Sequence, residues 1–496
     1  MLSITGQYLA RYRDLAARAD SPVLLPVTGA QRRFILVRSL DPQGRPDLVP
    51  MFFAFPRGTV DTGRLAAAAE HLAVLHPVLR SRPTVVRGTP VLRVERPEVP
   101  VVRVAREPGE DARAALRRAL RAWAPDGPPL RLYLAEDGEP VGGRSADGDP
   151  MGGRSADERP VGVRAADGDA RGREVLAVVL DHTACDGRSL ARIVEELGAA
   201  YAEAGRTARP GAAAAGTGPY TAAAIGPATG PDVDDSAELA AYRDAVLLQL
   251  DAEERAASPD ALAYWGDRLR AVQDRAPVPP PGEPGAGAAP SGSASARVPA
   301  PPAGVPFPEL LAACRPAVRA LYGPGHVVPL GYPWGGRPAG AERVLGCFLN
   351  TVVFPAVTAA APICPEVTAD AWWDDLDRAD VPFDAVVRAA REAGSGWSGR
   401  LDGMLTVDDA AQRPPLRLGG VEGREVDVDG RPVRGPFAVS VTQGPELRVR
   451  MVWDRAVIAD DTARTAFDAL TDALGAAARA AAAPAAPETP QSPATG

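Results

Sequence analysis

The sequence predicts a mixed α/β fold with enough chain for two halves, and three observations carry that expectation. Strand-like and helix-like patterns alternate through most of the chain. At 496 residues there is material for two domains or for two halves of one large enzyme. The stretch E-V-L-A-V-V-L-D-H-T-A-C-D-G-R-S-L-A-R-I-V-E-E-L, residues 174–197, joins a strong strand signal to a helix through one short loop.

That stretch organises the rest. Residues 175–180 form an unbroken apolar run rich in β-branched side chains, the signature of a strand buried on both faces. His182 follows directly, so a rigid strand presents it on a loop. Asp186 and Gly187 close the loop, giving H-x-x-x-D-G, and Ser189 is expected to cap the helix whose apolar stripe is Leu190, Ile193, Val194 and Leu197. Cys185 lies inside the loop. A thiol three residues from the histidine on one loop is poorly placed to bond the imidazole and a third orienting group, so Cys/His hydrolysis is not expected. Nor does any histidine have a neighbour at metal-ligand spacing, and no metal site is expected.

In chain order, residues 1–20 read as a short amphipathic helix. Thr28 caps a helix over 30–38, residues 51–55 form a strand ended by Pro56, and Asp61 caps a helix with Leu65, Leu72 and Leu75 on one face. His71 and His76, on or just after that helix, read as structural. Strands at 84–94 and 101–104, a helix from 111 to 123 and a strand at 130–135 follow. A decapeptide repeated three times then fills 140–169: P-V-G-G-R-S-A-D-G-D, P-M-G-G-R-S-A-D-E-R and P-V-G-V-R-A-A-D-G-D. It holds too few apolar side chains to order itself and reads as a disordered insertion between two strands that would otherwise pair as a hairpin.

The organisation expected is a first half at 1–204, a linker at 205–236, a second half at 237–480 and a disordered tail at 481–496. In the second half, Leu239, Tyr242, Val246 and Leu250 make one helical stripe and Leu262, Trp265 and Leu269 another. Residues 277–302 read as a flexible proline-rich stretch, and Leu310, Leu311, Cys314, Val318 and Leu321 as a helix. His326 opens a strand, 345–355 is strand-like, a turn and helix start at Asp380, 437–442 and 447–453 pair as a hairpin, and a helix over 461–474 closes the chain.

Composition removes several function classes. Net charge is −8 with no basic cluster, which argues against nucleic acid. No run is long enough to span a bilayer and residues 1–20 lack a signal-peptide apolar core, so a cytoplasmic protein is expected. All 55 residues counted as Lys+Arg are arginine, which excludes a Schiff-base or P-loop lysine. Cys185, Cys314, Cys347 and Cys364 form no C-x-x-C pair, so neither a zinc site nor a disulfide framework is indicated. Asn350 is the only asparagine, expected to be structural at the active site through a hydrogen-bonding role that aspartate or serine cannot fill.

Several segments together resemble a free-standing condensation domain of nonribosomal peptide synthesis, within the chloramphenicol acetyltransferase-like acyltransferase superfamily. They are V-T-G-A-Q-R-R-F from Val27, H-P-V-L-R-S-R reaching Arg82, D-H-T-A-C-D-G, L-A-Y-W-G-D-R-L, V-V-P-L-G-Y-P-W-G-G-R, V-L-G-C-F-L-N-T, D-V-P-F-D-A-V-V and the hairpin near Phe437. The resemblance implies two chloramphenicol acetyltransferase-like α/β sandwich halves in a V, a tunnel between them and the histidine loop at its centre. It implies His182 as the catalytic residue. Asp186 and Gly187 would be structural beside it, with Arg337 reaching Asp186 from the second half. The chain departs from the family at Asp181, where a second histidine is usual, at the proline-rich connector between Trp265 and Phe307, and in the inserted repeats.

Such a family member would join a carrier-bound acyl or aminoacyl thioester to an amine or hydroxyl, making an amide or ester. The carrier's phosphopantetheine arm would take the place of a bound cofactor, and carrier proteins would be partners in trans to a monomer. His182 could act as general base, although an amine is partly neutral at pH 7 and needs less help than an alcohol. A coenzyme A-dependent acyltransferase of the same superfamily, and a degenerate member that only docks carriers, are the alternatives; Asp181 motivates the second.

Overall fold

A computed structural model describes residues 3–18, 23–42, 47–137, 172–207, 235–277, 289–358 and 365–482. The repeats, most of the expected linker, all but the first two residues of the expected tail, and Cys364 lie outside these residues; Ala481 and Ala482 end the last helix.

The apolar run at the centre of the sequence becomes the middle of a five-stranded sheet. Its strand, Arg173–Asp181, lies antiparallel to Leu48–Pro56 on one side and Leu130–Glu136 on the other, with Val101–Arg103 beyond the latter. The strands flanking the inserted repeats therefore pair directly, as the hairpin reading requires. Every residue of Arg173–Asp181 after the first is buried, because alternate side chains serve two different cores. Leu176, Val178 and Leu180 pack with Leu65 and Leu72 of helix Thr62–Leu75 and with Ile193 and Leu197 of helix Gly187–Thr207. Val175, Ala177 and Val179 pack instead with Leu116 and Leu120 of helix Ala112–Arg121. Each fully buried Val or Leu contributes about 1.5–3 kcal/mol, so the strand end carrying His182 is anchored from both faces.

A six-stranded sheet runs in the order Asn350–Val357, Val327–Trp334, Gly403–Asp409, Phe437–Gln443, Glu446–Asp454, Ser291–Pro299. Helices Phe307–Tyr322 and Asp460–Ala482 pack on each other and share this sheet's core. The two sheets are not independent. Arg424–Glu425, late in the chain, adds an edge strand beside Leu48–Pro56, with Arg424 opposite Ala54. Helix Asp235–Ala256 sends Tyr242, Val246 and Leu250 into the core of the first sheet, where Leu345, Phe348 and Leu416 join them.

Helix starts follow their caps. Thr28 accepts from Gln31 N while the Gln31 side chain accepts from Thr28 N, a reciprocal box that opens helix Gly29–Leu40. Asp61 and Asp111 cap Thr62–Leu75 and Ala112–Arg121. The hairpin near Phe437 forms in the register Phe437 opposite Trp453.

Two expectations are corrected. Residues 277–302 are not all a flexible connector: Ser291–Pro299 pairs along its whole length with Glu446–Asp454. Its small residues hide the strand from any hydropathy reading, yet the close approach needs them, since a Cβ on Gly292 would lie 2.2 Å from the Trp453 ring. The strand expected over 345–355 begins only at Asn350. The preceding residues spend their backbone groups on the histidine loop rather than on a ladder.

Candidate active site at the end of the central strand

The loop after Arg173–Asp181 is a single 3-10 turn, His182–Ala184, with Asp181 at its N-cap. One Asp181 oxygen accepts from Thr183 N at 3.0 Å and Thr183 Oγ1 at 2.6 Å, and the other receives Arg38 Nη2 at 2.6 Å. Gln31 Nε2 donates to Thr183 O at 2.6 Å and to Tyr242 Oη at 2.9 Å. His182 N donates to Asp47 O at 2.9 Å. The loop is thereby tied to helix Gly29–Leu40, to Asp47 and to helix Asp235–Ala256. Asp181 is fully committed to this scaffold.

Asp186 faces away from the imidazole. Its Oδ1 accepts from Ser189 N, Ser189 Oγ and Arg337 Nη2, each at 2.9 Å, and its Oδ2 accepts from Phe348 N at 3.1 Å. Ser189 was expected to cap the following helix. The cap is instead Asp186, whose carboxylate takes the free N–H at the helix start. The Ser189 hydroxyl bonds Asp186 and also Gly346 O at 2.9 Å. Arg337 and Asp186 form an ion pair at 2.9 Å, their side chains 4 % and 6 % exposed, and the Arg337 guanidinium lies 5.0 Å from the Phe348 ring centroid. With Thr28 Oγ1 donating to Cys347 O at 2.7 Å, residues 346–348 bridge the histidine loop and the helix start at Thr28. This bridging is why no strand forms there.

The imidazole of His182 sits among four groups. Phe34 stacks obliquely on it, ring centroids 4.7 Å apart, and Cys347 Sγ lies 3.9 Å from Nδ1. Arg434, paired with Asp47 at 2.7 Å, lies 5.2 Å from the Phe34 ring. Burial first, and then the positive charge of Arg434, push the imidazole down to about 4, against the weaker opposing pull of Asp47 and Asp181. It is therefore neutral at pH 7. A neutral ring can accept a hydrogen bond from a nucleophile, but with so low a pKa it is a weak base, better at orienting an amine than at ionising an alcohol. The buried thiols of Cys185 and Cys347 are pushed well above the usual range by burial, which leaves no thiolate nucleophile at neutral pH.

The remaining sequence candidates separate. Asn350 Nδ2 donates to Ala379 O and Val381 O, both at 2.7 Å, tying the start of its strand to the turn before helix Phe383–Glu392. An aspartate would face two carbonyl oxygens with no proton to offer. Gly187 is exposed, and a Cβ there would meet nothing within 4 Å, so the folded chain itself does not require glycine. His76 pairs with Glu196 at 2.5 Å, in keeping with a structural histidine. Among the described residues no group of three or more His, Cys, Asp or Glu could hold a metal ion, and no helix is long and apolar enough to cross a membrane. Phe34, Gln31 and Cys347 lay within recognisable segments but were not singled out; Arg38, Asp47 and Arg434 carried no local signal.

No family model matches the sequence. The X-domain of teicoplanin biosynthesis, solved in complex with OxyB, superposes with a TM-score of 0.61 at 18% identity over 93% of this chain and 95% of its own. The first condensation domain of the calcium-dependent antibiotic synthetase, solved with a substrate analogue, gives 0.60 at 18% identity over 94% and 98%. A mutant of the starter condensation domain of the rhizomide synthetase RzmA, solved with a CoA ligand and Leu-SNAC, gives 0.60 at 14% identity over 92% and 94%. The chain has the condensation-domain fold. In sequence it is similar to the AMB antimetabolite synthetase AmbE of Pseudomonas aeruginosa, 30% identical over 283 residues, which are 52% of this chain and 11% of that protein.

Proposed function

We propose that the protein is a condensation enzyme, forming an amide or ester bond between a carrier-bound acyl or aminoacyl thioester and an amine or hydroxyl acceptor in natural-product biosynthesis. The observation that carries this reading is a histidine held on a tied-down turn at a strand end in a condensation-domain fold, with the neighbouring Asp186 carboxylate turned into an ion pair with Arg337. His182 would accept a hydrogen bond from the nucleophile and align its lone pair with the thioester carbonyl, a contribution of position more than of basicity. Asp181 does not compete for this role, because Arg38 and Thr183 occupy it. Similarity to a named synthetase and to synthetase domains supports the same setting. In this reading the protein is a cytoplasmic monomer whose carriers arrive in trans, and it needs no bound cofactor beyond their phosphopantetheine arms.

A second reading, a module that docks partners without turnover, draws on one neighbour being solved as a complex with another protein. A third, transfer from coenzyme A, draws on the RzmA domain solved with a CoA ligand. Offering the same acyl group on a carrier protein and on coenzyme A separates the three. The proposal expects product from the carrier donor at the higher rate. Faster transfer from coenzyme A would move the protein to the third reading, and carrier binding with no product from either donor to the second.

A further inference from the structure

Among the described residues no carboxylate bonds the imidazole of His182. Asp186 turns to Arg337 and Phe348 N, Asp181 to Arg38 and Thr183, and Asp47 to Arg434. Phe34 lies on one face of the ring at 4.7 Å, which limits its tilt but does not decide which nitrogen carries the proton. The contact at the ring edge falls to sulfur. Cys347 Sγ lies 3.9 Å from His182 Nδ1, within reach of a hydrogen bond involving a thiol.

The backbone leaves that sulfur little freedom. Gly346 O accepts from Ser189 Oγ at 2.9 Å, and Gly346 N donates to the same hydroxyl at 3.2 Å. Cys347 O accepts from Thr28 Oγ1 at 2.7 Å, and Phe348 N donates to Asp186 Oδ2 at 3.1 Å. The Cys347 side chain is fully buried, and its sulfur takes a further hydrogen bond from the Leu349 backbone. Proton placement follows from a second contact of the ring. The imidazole also bonds the backbone of its own residue, and that bond favours the charged ring, so the ring is the donor. Within one residue only Nδ1 comes near the carbonyl. Nδ1 therefore carries the hydrogen, between its own carbonyl oxygen and the sulfur of a thiol that burial keeps neutral. Nε2 keeps its lone pair and bonds no described residue. A histidine side chain in water favours hydrogen on Nε2, so the Nδ1–H form persists only where the bonds around the ring hold it.

Building on the condensation reading, we propose that Cys347 is a positioning residue for His182: its sulfur accepts from Nδ1–H and holds the ring with the Nε2 lone pair free for the nucleophile. The thiol itself takes no part in making or breaking bonds. It acts through the imidazole alone, and it reaches the ring from the second half of the chain on the same segment that Asp186, Ser189 and Thr28 tie down.

The chain has only four histidines, so the full-length protein labelled with nitrogen-15 in histidine gives few imidazole signals, and His182→Gln identifies those of residue 182. At neutral pH the wild type should show this ring as one tautomer with hydrogen on Nδ1. Cys347→Ala, and Cys347→Val, which refills the space without an acceptor, should both move the signals toward the Nε2–H form. With a carrier-bound thioester and an amine, kcat should fall about 2–10-fold in both variants at unchanged KM, the usual worth of one neutral hydrogen bond. Hydrogen on Nε2 in the wild type would overturn the proposal. Signals unchanged in the two folded variants would overturn it too, as would wild-type kcat in Cys347→Val. The spectra need no substrate. Tautomer shifts in the variants of a wild type that turns over no thioester would defeat the condensation reading and leave the hold of Cys347 on the ring standing.

Discussion

Asp186 is surrounded only by donors: a main-chain N–H on each side, a hydroxyl and a guanidinium. An amide in its place must turn an NH₂ toward one of them and leaves Arg337 buried without a counter-charge. Asp186→Asn should therefore cost about 3–5 kcal/mol in urea unfolding, the usual consequence of breaking a buried pair from one side. Unchanged stability would mean that the pair does not hold the loop. His182 makes a prediction of a different kind. The unfolded chain protonates this imidazole below about 6.5, the folded protein only near 4. Between those values the unfolded state holds more protons, so this residue's contribution to stability falls as pH falls. Glu253 and Asp402, raised by burial to about 7, act in the opposite sense, so the comparison must be differential. From about pH 7.5 to about pH 5, His182→Gln should lose about 2 kcal/mol less than the wild type. Parallel curves would show that the ring is not desolvated. Of these residue-level features, the histidine loop was legible because strand, loop and helix are contiguous. The Arg337 partner came from a family resemblance, and Arg434, Asp47 and Arg38 come from separate segments that only folding brings together.

At the scale of elements, legibility tracks side-chain size. The central strand could be read because six successive apolar residues face two cores. Helix Pro259–Leu269 could be read from Trp265 and Leu269, both fully buried. Ser291–Pro299 could not, because S-G-S-A-S-A-R-V-P resembles linker composition and its pairing resides in the backbone. The missing side chain at Gly292 is what leaves room for the Trp453 ring. Gly292→Ala should therefore destabilise by about 1–3 kcal/mol, the range for overpacking a tight site, and lower the melting temperature. A melting temperature equal to wild type would indicate that the edge strand is loosely held. Residues 345–349 failed for another reason. Their apolar run looks like a strand, but their N–H and C=O groups are taken by Asp186, Ser189 and Thr28.

Across the whole molecule, late segments complete early ones. Arg424–Glu425 edges the first sheet, Arg337 and residues 346–348 hold the loop that carries His182, and Arg434 sets the charge beside it. The fold class was legible from alternating patterns, but this interlocking was not, since no local period records a contact across 150 residues of chain. The central claim is that the interlocking serves to fix one neutral imidazole against a bound nucleophile. Its most direct test is product formation from a carrier-bound thioester and an amine acceptor by the wild-type protein and by His182→Ala, with circular dichroism establishing that both are folded. The wild type should turn over and the variant should lose about 10²-fold or more. Equal rates in the two folded proteins would contradict the account.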